Sequence, residues 1–306
     1  MKQLTKTRIK STFFSALPMG IYLAFAVIAI IASTIILMAV TGSDESNDWV
    51  DLITHVVSIA IGALAAIALV KSRNNTKLSD FAFVKNFDWA VPVMLMLFGF
   101  SAGEVLDHFS GLILSNFMTI EPNRAIEVIL PNVISAVIVA PIFEELIFRF
   151  GGCELTKGAY SLPVICIANG LFFAAVHGYN IQGFGNVTIV GITMAYVYCK
   201  TGNILYTIIT HSLHNAICCI QFENPSLFGT PLYIEKNGFV LGGWWWVAIN
   251  AVITAVCLVY YFKVFRKKYT EDKFAVNYET GLPDTAIVKT DEQDVSDEVE
   301  SVLMNL

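Results

Sequence analysis

Long apolar runs without charged residues recur along most of the chain and are separated by short polar turns. A helix of about 20 residues crosses the hydrocarbon core of a bilayer, and the chain holds about eight runs that could form such helices. The sixth run is short and rich in Gly and Thr. The pattern predicts an all-α fold, a polytopic membrane helical bundle of about eight transmembrane helices. The runs cover approximately residues 15–40, 52–70, 89 onward, 128 onward, 161–176, 187–199, 204–220 and 242–262.

The composition agrees with this pattern, because 56% of the 306 residues are hydrophobic and only 14% are charged. A mean hydropathy of +0.64 excludes an ordinary soluble domain. Four sections are expected: N-terminal helices with an amphipathic connection over 1–125, a helical core over 126–222, a loop with the last helix over 223–268, and a tail over 269–306. The tail contains "TDEQDVSDEVE", and such a dense acidic stretch predicts a solvated, disordered cytoplasmic segment.

The charges of the loops predict the orientation in the membrane. Lys and Arg favour the cytoplasmic side, so the basic start "MKQLTKTRIK" and the loop after the second run are expected inside. The acidic loop "TGSDESNDWVD" is expected outside, with both termini in the cytoplasm of a cell-membrane protein. A cleaved signal peptide is the alternative for the first run, but signal cores span about 7–15 residues. The net charge of -6 suggests no nucleic-acid partner.

The fourth run carries "PIFEELIFRF", in which Glu144 and Glu145 are adjacent and Arg149 follows one turn later. Glu145 and Arg149 are four residues apart, so they are expected to pair on one helix face. Glu144 would then lack that partner and be available as a general base. Pro141 removes one backbone hydrogen bond and can open the preceding turn to water. The alternative is that the acidic pair only marks the cytoplasmic end of the helix.

Further polar residues lie in the later runs, at His177 and in "THSLHNA", which holds His211 and Asn215. A rise of about 1.5 Å per residue places Glu144 and these three residues in one layer near the middle of the membrane. His211 and Asn215 are four apart and share a helix face. Each histidine alone could be a packing residue, but polar groups at one depth in consecutive helices indicate a shared site. Six cysteines without a CxxC pair suggest neither a disulfide scaffold nor a zinc knuckle.

Three segments in this order resemble the motifs of the CPBP family, the CAAX-processing and bacteriocin-processing intramembrane proteases, also called Abi or Rce1-like. "EELIFR" fits E-E-x-x-x-R, "FAAVH" fits F-x-x-x-H and "HSLHN" fits H-x-x-x-N. The resemblance covers about residues 128–219. One departure is Phe150, which follows the arginine where the family often has glycine.

The resemblance implies an intramembrane endopeptidase that cleaves a membrane-associated or lipidated peptide or protein. Glu144 would be the general base and His177 would position the water. His211 and Asn215 would donate to the oxyanion, while Glu145 and Arg149 would hold the geometry. A metal-free mechanism is favoured, because HExxH is missing. Zinc on Glu144, His177 and His211 is the alternative, since a Glu with two His is a ligand set that zinc accepts.

Two other functions remain open. "GFSAG" fits G-x-S-x-G, so Ser101 could be the nucleophile of a rhomboid-like serine protease. Small residues at this spacing more often serve close helix packing. The chain could instead be a non-proteolytic immunity or resistance protein, or the partner of a membrane sensor. Every motif position is filled, however, and nothing indicates a loss of catalysis.

Overall fold

A computed structural model of the chain describes residues 2–41, 47–74, 87–121, 127–223, 226–227 and 230–270. The predicted acidic tail lies almost entirely outside these residues. So do the middle of the predicted acidic loop after the first helix and most of the basic loop after the second.

Eight helices form the described part of the chain, one for each predicted run, and the all-α fold is confirmed. Four of them are long and apolar enough to cross a membrane: Arg8–Ala39, Asp48–Asn74, Ala90–Leu114 and Trp244–Lys268. The short, Gly-rich sixth run is a full helix that extends beyond its predicted ends. The helices are α1 (Lys2–Thr41), α2 (Asp48–Asn74), α3 (Ala90–Leu114), α4 (130–156), α5 (Leu162–Val176), α6 (Ile181–Thr201), α7 (Ile204–Glu223) and α8 (Trp244–Lys268).

Helix α4, which carries the acidic pair, changes its winding twice. It is π-helical over Ser135–Val139 and again over Leu146–Cys153, on both sides of the α-helical Ala140–Glu145. The first π segment comes just before Pro141, which has no N–H for the carbonyl four residues earlier. The opening of the turn before this proline, predicted from the sequence, is confirmed. Wider π turns inside helices occur frequently at functional sites.

Neighbouring helices satisfy carbonyl groups in both π segments. The amide nitrogen of Asn215 on α7 donates to the carbonyl oxygen of Ala136 at 2.7 Å. The amide nitrogen of Asn169 on α5 donates to the carbonyl oxygen of Phe148 at 2.8 Å. An unpaired carbonyl in the bilayer core costs about several kcal/mol. These two asparagines therefore stabilise the irregular winding of α4.

The helices pack as a bundle with α4 in contact with α2, α5 and α7. Helix α2 packs against α1, and α3 lies between α6 and α8. Helices α5 and α6 approach very closely at two glycines: a Cβ atom on Gly191 would lie 2.8 Å from the Cα of Gly170. Small residues at such a crossing allow close backbone packing. This close packing holds α5 against α6.

The segment between α7 and α8 contains two small antiparallel hairpins, which the prediction of a plain loop missed. Strands β1 (Ser226–Leu227) and β2 (Thr230–Pro231) form the first, and β3 (Tyr233–Lys236) and β4 (Phe239–Gly242) form the second. Asn237 and Gly238 join β3 to β4 with φ values of 53° and 79°. An Asn-Gly pair favours such a two-residue turn, so "KNGF" was a usable sequence signal.

The ends of the helices form two separate groups of contacts. At one end, which we call the basic end, Arg8 donates to the carbonyl of Ala159 at 3.0 Å, and Lys268 pairs with Asp88 at 2.8 Å. At the other, which we call the hairpin end, Asn180 donates to the carbonyl of Glu121 at 2.9 Å. There the β3–β4 hairpin also meets the segment after α3, through a backbone hydrogen bond of 3.1 Å.

Candidate active site

Glu145, Arg149 and His211 form a buried ionic group between α4 and α7. Oε1 of Glu145 lies 3.1 Å from Nη1 of Arg149 and 3.0 Å from Nδ1 of His211. Glu145 and Arg149 are fully buried, and the Arg149 guanidinium lies over the Phe173 ring at 4.3 Å from its centroid. The predicted pairing of Glu145 with Arg149 is confirmed. The contact of Glu145 with His211 was not predicted, and it fixes the orientation of that imidazole.

Glu144 points toward two imidazole rings from different helices. Its Oε2 lies 3.6 Å from Nε2 of His177 and 4.0 Å from Nε2 of His211. Both separations exceed a direct hydrogen bond, and this buried oxygen has no hydrogen-bond partner among the described residues. The side chains of Glu144 and His177 are 16% and 21% exposed, in contrast to the sealed Glu145 and Arg149. Glu144 is therefore the accessible acid of the pair.

The proton on His177 can be assigned from its neighbour. Nδ1 lies 2.6 Å from the carbonyl oxygen of Phe173, one turn earlier on α5. A carbonyl oxygen only accepts hydrogen bonds, so Nδ1 carries the donated proton. In the neutral ring Nε2 then presents a lone pair toward Glu144. The Tyr179 ring stacks on the imidazole, with centroids 5.7 Å apart and planes at 20°.

Asn215 lies one turn after His211 on α7, as predicted. Its side chain contacts the backbone of α4, whereas the His211 side chain contacts the carboxylate of Glu145. Its amide donates to the backbone of α4 at Ala136, within the first π segment. The structure thus gathers Glu144, Glu145, His177 and His211 at one point and places the Asn215 amide against the backbone that leads to them.

Ser101 lies outside this group. Its hydroxyl is fully buried between α3 and α8, 2.8 Å from Oγ1 of Thr254, with a longer contact to the carbonyl of Phe98. Neither of these partners is a base. The serine therefore serves helix packing here, and the serine-nucleophile alternative gains no support.

The comparisons with known proteins agree with the resemblance read from the motifs. Residues 126–217 match the model of a family described as "Type II CAAX prenyl endopeptidase Rce1-like". Over these residues the chain is similar to that family. No curated protein and no solved structure matches the chain. The matched segment is less than a third of the 306 residues. It includes α4, α5, α6 and most of α7, so it contains the whole gathered site.

One histidine from outside the matched segment, His55 on α2, contacts α4. Nδ1 of His55 is 2.8 Å from the hydroxyl of Ser135, at the start of the first π segment. In the sequence His55 is a histidine in an apolar run with nothing that links it to α4, because only the packing of α2 on α4 brings them together.

A metal centre requires several ligand side chains at one point. Across the described ranges, no group of three or more His, Cys, Asp and Glu side chains is arranged to hold a metal ion. Nδ1 of His177 is hydrogen-bonded to the carbonyl oxygen of Phe173, and Nδ1 of His211 is hydrogen-bonded to Oε1 of Glu145. Metal-binding histidines commonly donate their other ring N–H in this way, so these contacts do not decide between the metal-free mechanism and the alternative zinc set of Glu144, His177 and His211.

Proposed function

We propose that this protein is an intramembrane endopeptidase that hydrolyses a peptide bond of a membrane-associated or lipidated peptide or protein with water activated by Glu144 and His177. The family match supports an endopeptidase of the CAAX-protease type. The observation that carries the proposal is the buried Oε2 of Glu144, which lies within 4.0 Å of two imidazole nitrogens and accepts no hydrogen bond from the described residues.

The first step is the activation of water. Buried polar atoms in proteins are normally satisfied, often by an ordered water molecule. A water beside Oε2 of Glu144 can donate one proton to this oxygen and the other to the lone pair of His177 Nε2. Glu144 removes its proton as the water oxygen forms a bond to the carbonyl carbon of the substrate. General-base catalysis of this kind typically contributes about 10²–10⁴-fold to the rate.

The second step needs a donor for the oxyanion. With Nδ1–H of His211 bound to Glu145, Nε2 donates only when the ring carries two protons. Carboxylates lie near both nitrogens of this ring, and we assign Nε2–H of His211 as one donor. The Asn215 amide has a second N–H beyond the one bound to Ala136, and we assign it as the other donor. Donors in a site that excludes water stabilise an oxyanion strongly.

The tetrahedral intermediate then collapses. The carbon–nitrogen bond breaks, and the proton held by Glu144 moves to the leaving amine nitrogen. The products are a new carboxylic acid and a new amine, which become a carboxylate and an ammonium group by proton exchange, and Glu144 returns to its ionised form. Glu145 and Arg149 take no proton in this sequence. They hold the His211 ring in place and keep the charge of the buried site balanced.

Comparing membrane peptidomes of cells with the wild-type protein and cells with Glu144→Gln tests the proposal. Glutamine keeps the shape of the side chain but cannot take a proton, so uncleaved substrate should accumulate while the amount of protein in the membrane stays the same. Identical peptidomes at equal protein amounts would contradict proteolysis and favour a non-proteolytic immunity or sensor-partner role. Ser101→Ala should leave the wild-type peptidome unchanged, and cleavage should survive strong chelation of metals.

A further inference from the structure

The two ends of the bundle differ strongly in charge. Among the described residues, the only Lys or Arg side chain at the hairpin end is Lys236, in β3. That end carries instead the acidic residues Asp48, Asp51, Glu121 and Glu235. Lys and Arg collect on the cytoplasmic side of membrane proteins, so this asymmetry places the basic end in the cytoplasm. The basic end carries Lys6, Arg8, Lys10, Lys71, Arg73, Lys157, Lys200, Lys263, Arg266, Lys267 and Lys268.

The candidate active site is closed toward this basic end. Along α4, every side chain from Glu145 to Leu155 is buried except at Gly152. Tyr198 and Tyr206, from α6 and α7, are 0% and 1% exposed at the same level, and the Tyr198 hydroxyl donates to Glu154 at 3.1 Å. Packed aromatic and ionic side chains therefore separate Glu144 from the basic end. Water and substrate need another route.

On the side of the site that faces the hairpin end, residues are exposed. His177 follows the last residue of α5 and leads directly into the turn at the hairpin end. In this turn Gly178 is exposed, and a Cβ added to it would meet no atom within 4 Å. Tyr179, stacked on His177, is 40% exposed. The exposed fraction of the site thus continues into the surface of the hairpin end.

We infer that the candidate active site opens on the hairpin end, which faces away from the cytoplasm, and that its substrates are peptide segments located at the outer side of the membrane. The substrate part of this inference rests on the proposed proteolysis, whereas the sidedness rests on charge and burial. A prenylated C-terminal tail made in the cytosol would reach the sealed end. A translocated peptide, or a membrane-inserted segment that emerges outside, would reach the open end.

Cysteine labelling tests the sidedness without any need for activity. Three variants carry one added cysteine each: Tyr179→Cys at the mouth of the site, Glu235→Cys in the hairpin and Lys267→Cys at the basic end. The unaltered chain serves as background, since five of its six native cysteines are buried and Cys218 is half-buried. Cells are treated with a membrane-impermeant maleimide, either intact or after permeabilisation.

Tyr179→Cys and Glu235→Cys should be labelled in intact cells, and Lys267→Cys only after permeabilisation. The reverse pattern would overturn the orientation. Labelling of Glu235→Cys without any labelling of Tyr179→Cys, even in opened cells, would overturn the open mouth. None of these outcomes depends on cleavage, so the proposed function is judged separately by the Glu144→Gln peptidome.

The substrate class has its own readout. Peptides that accumulate in Glu144→Gln cells should be removed when a protease is added to the intact cells. Accumulated peptides that resist this protease and end in a prenylated cysteine region would overturn the inference while leaving the proteolytic function in place. An unchanged peptidome would contradict the proposed function and with it the substrate class, but not the labelling result.

Discussion

Glu104 on α3 and Glu144 on α4 are both half-buried carboxylates in apolar helices, but their surroundings differ. Oε2 of Glu104 accepts a hydrogen bond of 2.6 Å from Nε1 of Trp246, and Oε1 accepts one of 3.1 Å from the hydroxyl of Tyr233. Gln221 donates a third at 3.3 Å. Oε2 of Glu144 accepts none from the described residues and faces two imidazole nitrogens instead.

This difference distinguishes an acid whose oxygens are hydrogen-bonded from one with an unsatisfied oxygen. A carboxylate in a membrane helix is costly and is therefore paired or functional. Glu104 meets donors from β3, α7 and α8, so it ties the second hairpin and the last helix to α3. Glu144 keeps a buried oxygen that accepts no hydrogen bond from the described residues. Burial alone does not distinguish the two acids, whereas the satisfaction of their oxygens does.

The largest effect on stability is expected from Arg149→Ala. This change leaves the fully buried Glu145 without its cation, and breaking a buried ion pair from one side costs about 3–5 kcal/mol. Most of the protein should fail to fold or should unfold at a much lower temperature in detergent. Arg149→Lys keeps the charge and should recover part of the loss. An unchanged melting temperature in Arg149→Ala would show that Glu145 does not depend on this pair.

A large effect on activity is expected from His211→Gln, which also removes the contact of His211 with the buried Glu145. Losing one oxyanion donor typically lowers kcat about 10²–10³-fold, and the rate per folded molecule should fall by this amount. His214→Gln is the matched control on the same helix, because His214 packs on the ring of Phe100 rather than on Glu144. Equal losses in the two variants would remove the special role of His211.

A smaller effect, on stability rather than activity, is expected from Trp246→Phe. This change removes the shortest donor to Glu104 and leaves an accepting oxygen unsatisfied, at a cost of about 1–3 kcal/mol. The melting temperature should fall while cleavage per folded molecule stays the same. A selective loss of cleavage would contradict the separation of the two carboxylates.

The smallest effect is expected at the surface pair of Asp88 and Lys268. The hydrogen bond from Lys268 holds the pKa of the Asp88 carboxyl below its ordinary value of 3.8. Its contribution to the free energy of unfolding is therefore fully present above pH 3.8 and is lost as the pH falls through the lower folded-state pKa.

Asp88→Asn measures this contribution. Asn can still accept from the backbone N–H of Ala90, as Asp88 does, so the change removes mainly the charge. Because the pair is exposed, the free energy of unfolding at neutral pH should fall by less than about 1 kcal/mol. The difference from wild type should vanish in acid. A difference that grows in acid would contradict this sign.

Much of the fold follows from the sequence, because a bilayer imposes long apolar helices and gives them clear ends. All eight predicted runs are helices, and the pairing of Glu145 with Arg149 follows from their spacing. The proximity of Glu144 to His177 and His211 was predicted from the depths of these residues in the membrane together with the family motifs. These features depend on distances along one helix or on a common depth, both of which a sequence contains.

The remaining features depend on contacts between helices, which spacing does not specify. The π winding of α4 is stabilised by Asn169 and Asn215 from two other helices, and no local pattern predicts those partners. The bond from His211 to Glu145 requires the rotation of α7 relative to α4. The prediction for Asn215 was therefore incomplete, because it did not include the contact with the Ala136 carbonyl. The β3–β4 hairpin was missed although its Asn-Gly turn was visible.

The most direct test of the account is the rate of cleavage in Glu144→Gln and Glu104→Gln, measured side by side at matched amounts of folded protein. The substrate would be a peptide recovered from the peptidome comparison. The account predicts a loss of about 10³-fold or more in Glu144→Gln, within the range of general-base catalysis, and a rate near wild type in Glu104→Gln. Equal rates in the two variants, or a larger loss in Glu104→Gln, would contradict the assignment of Glu144 as the base.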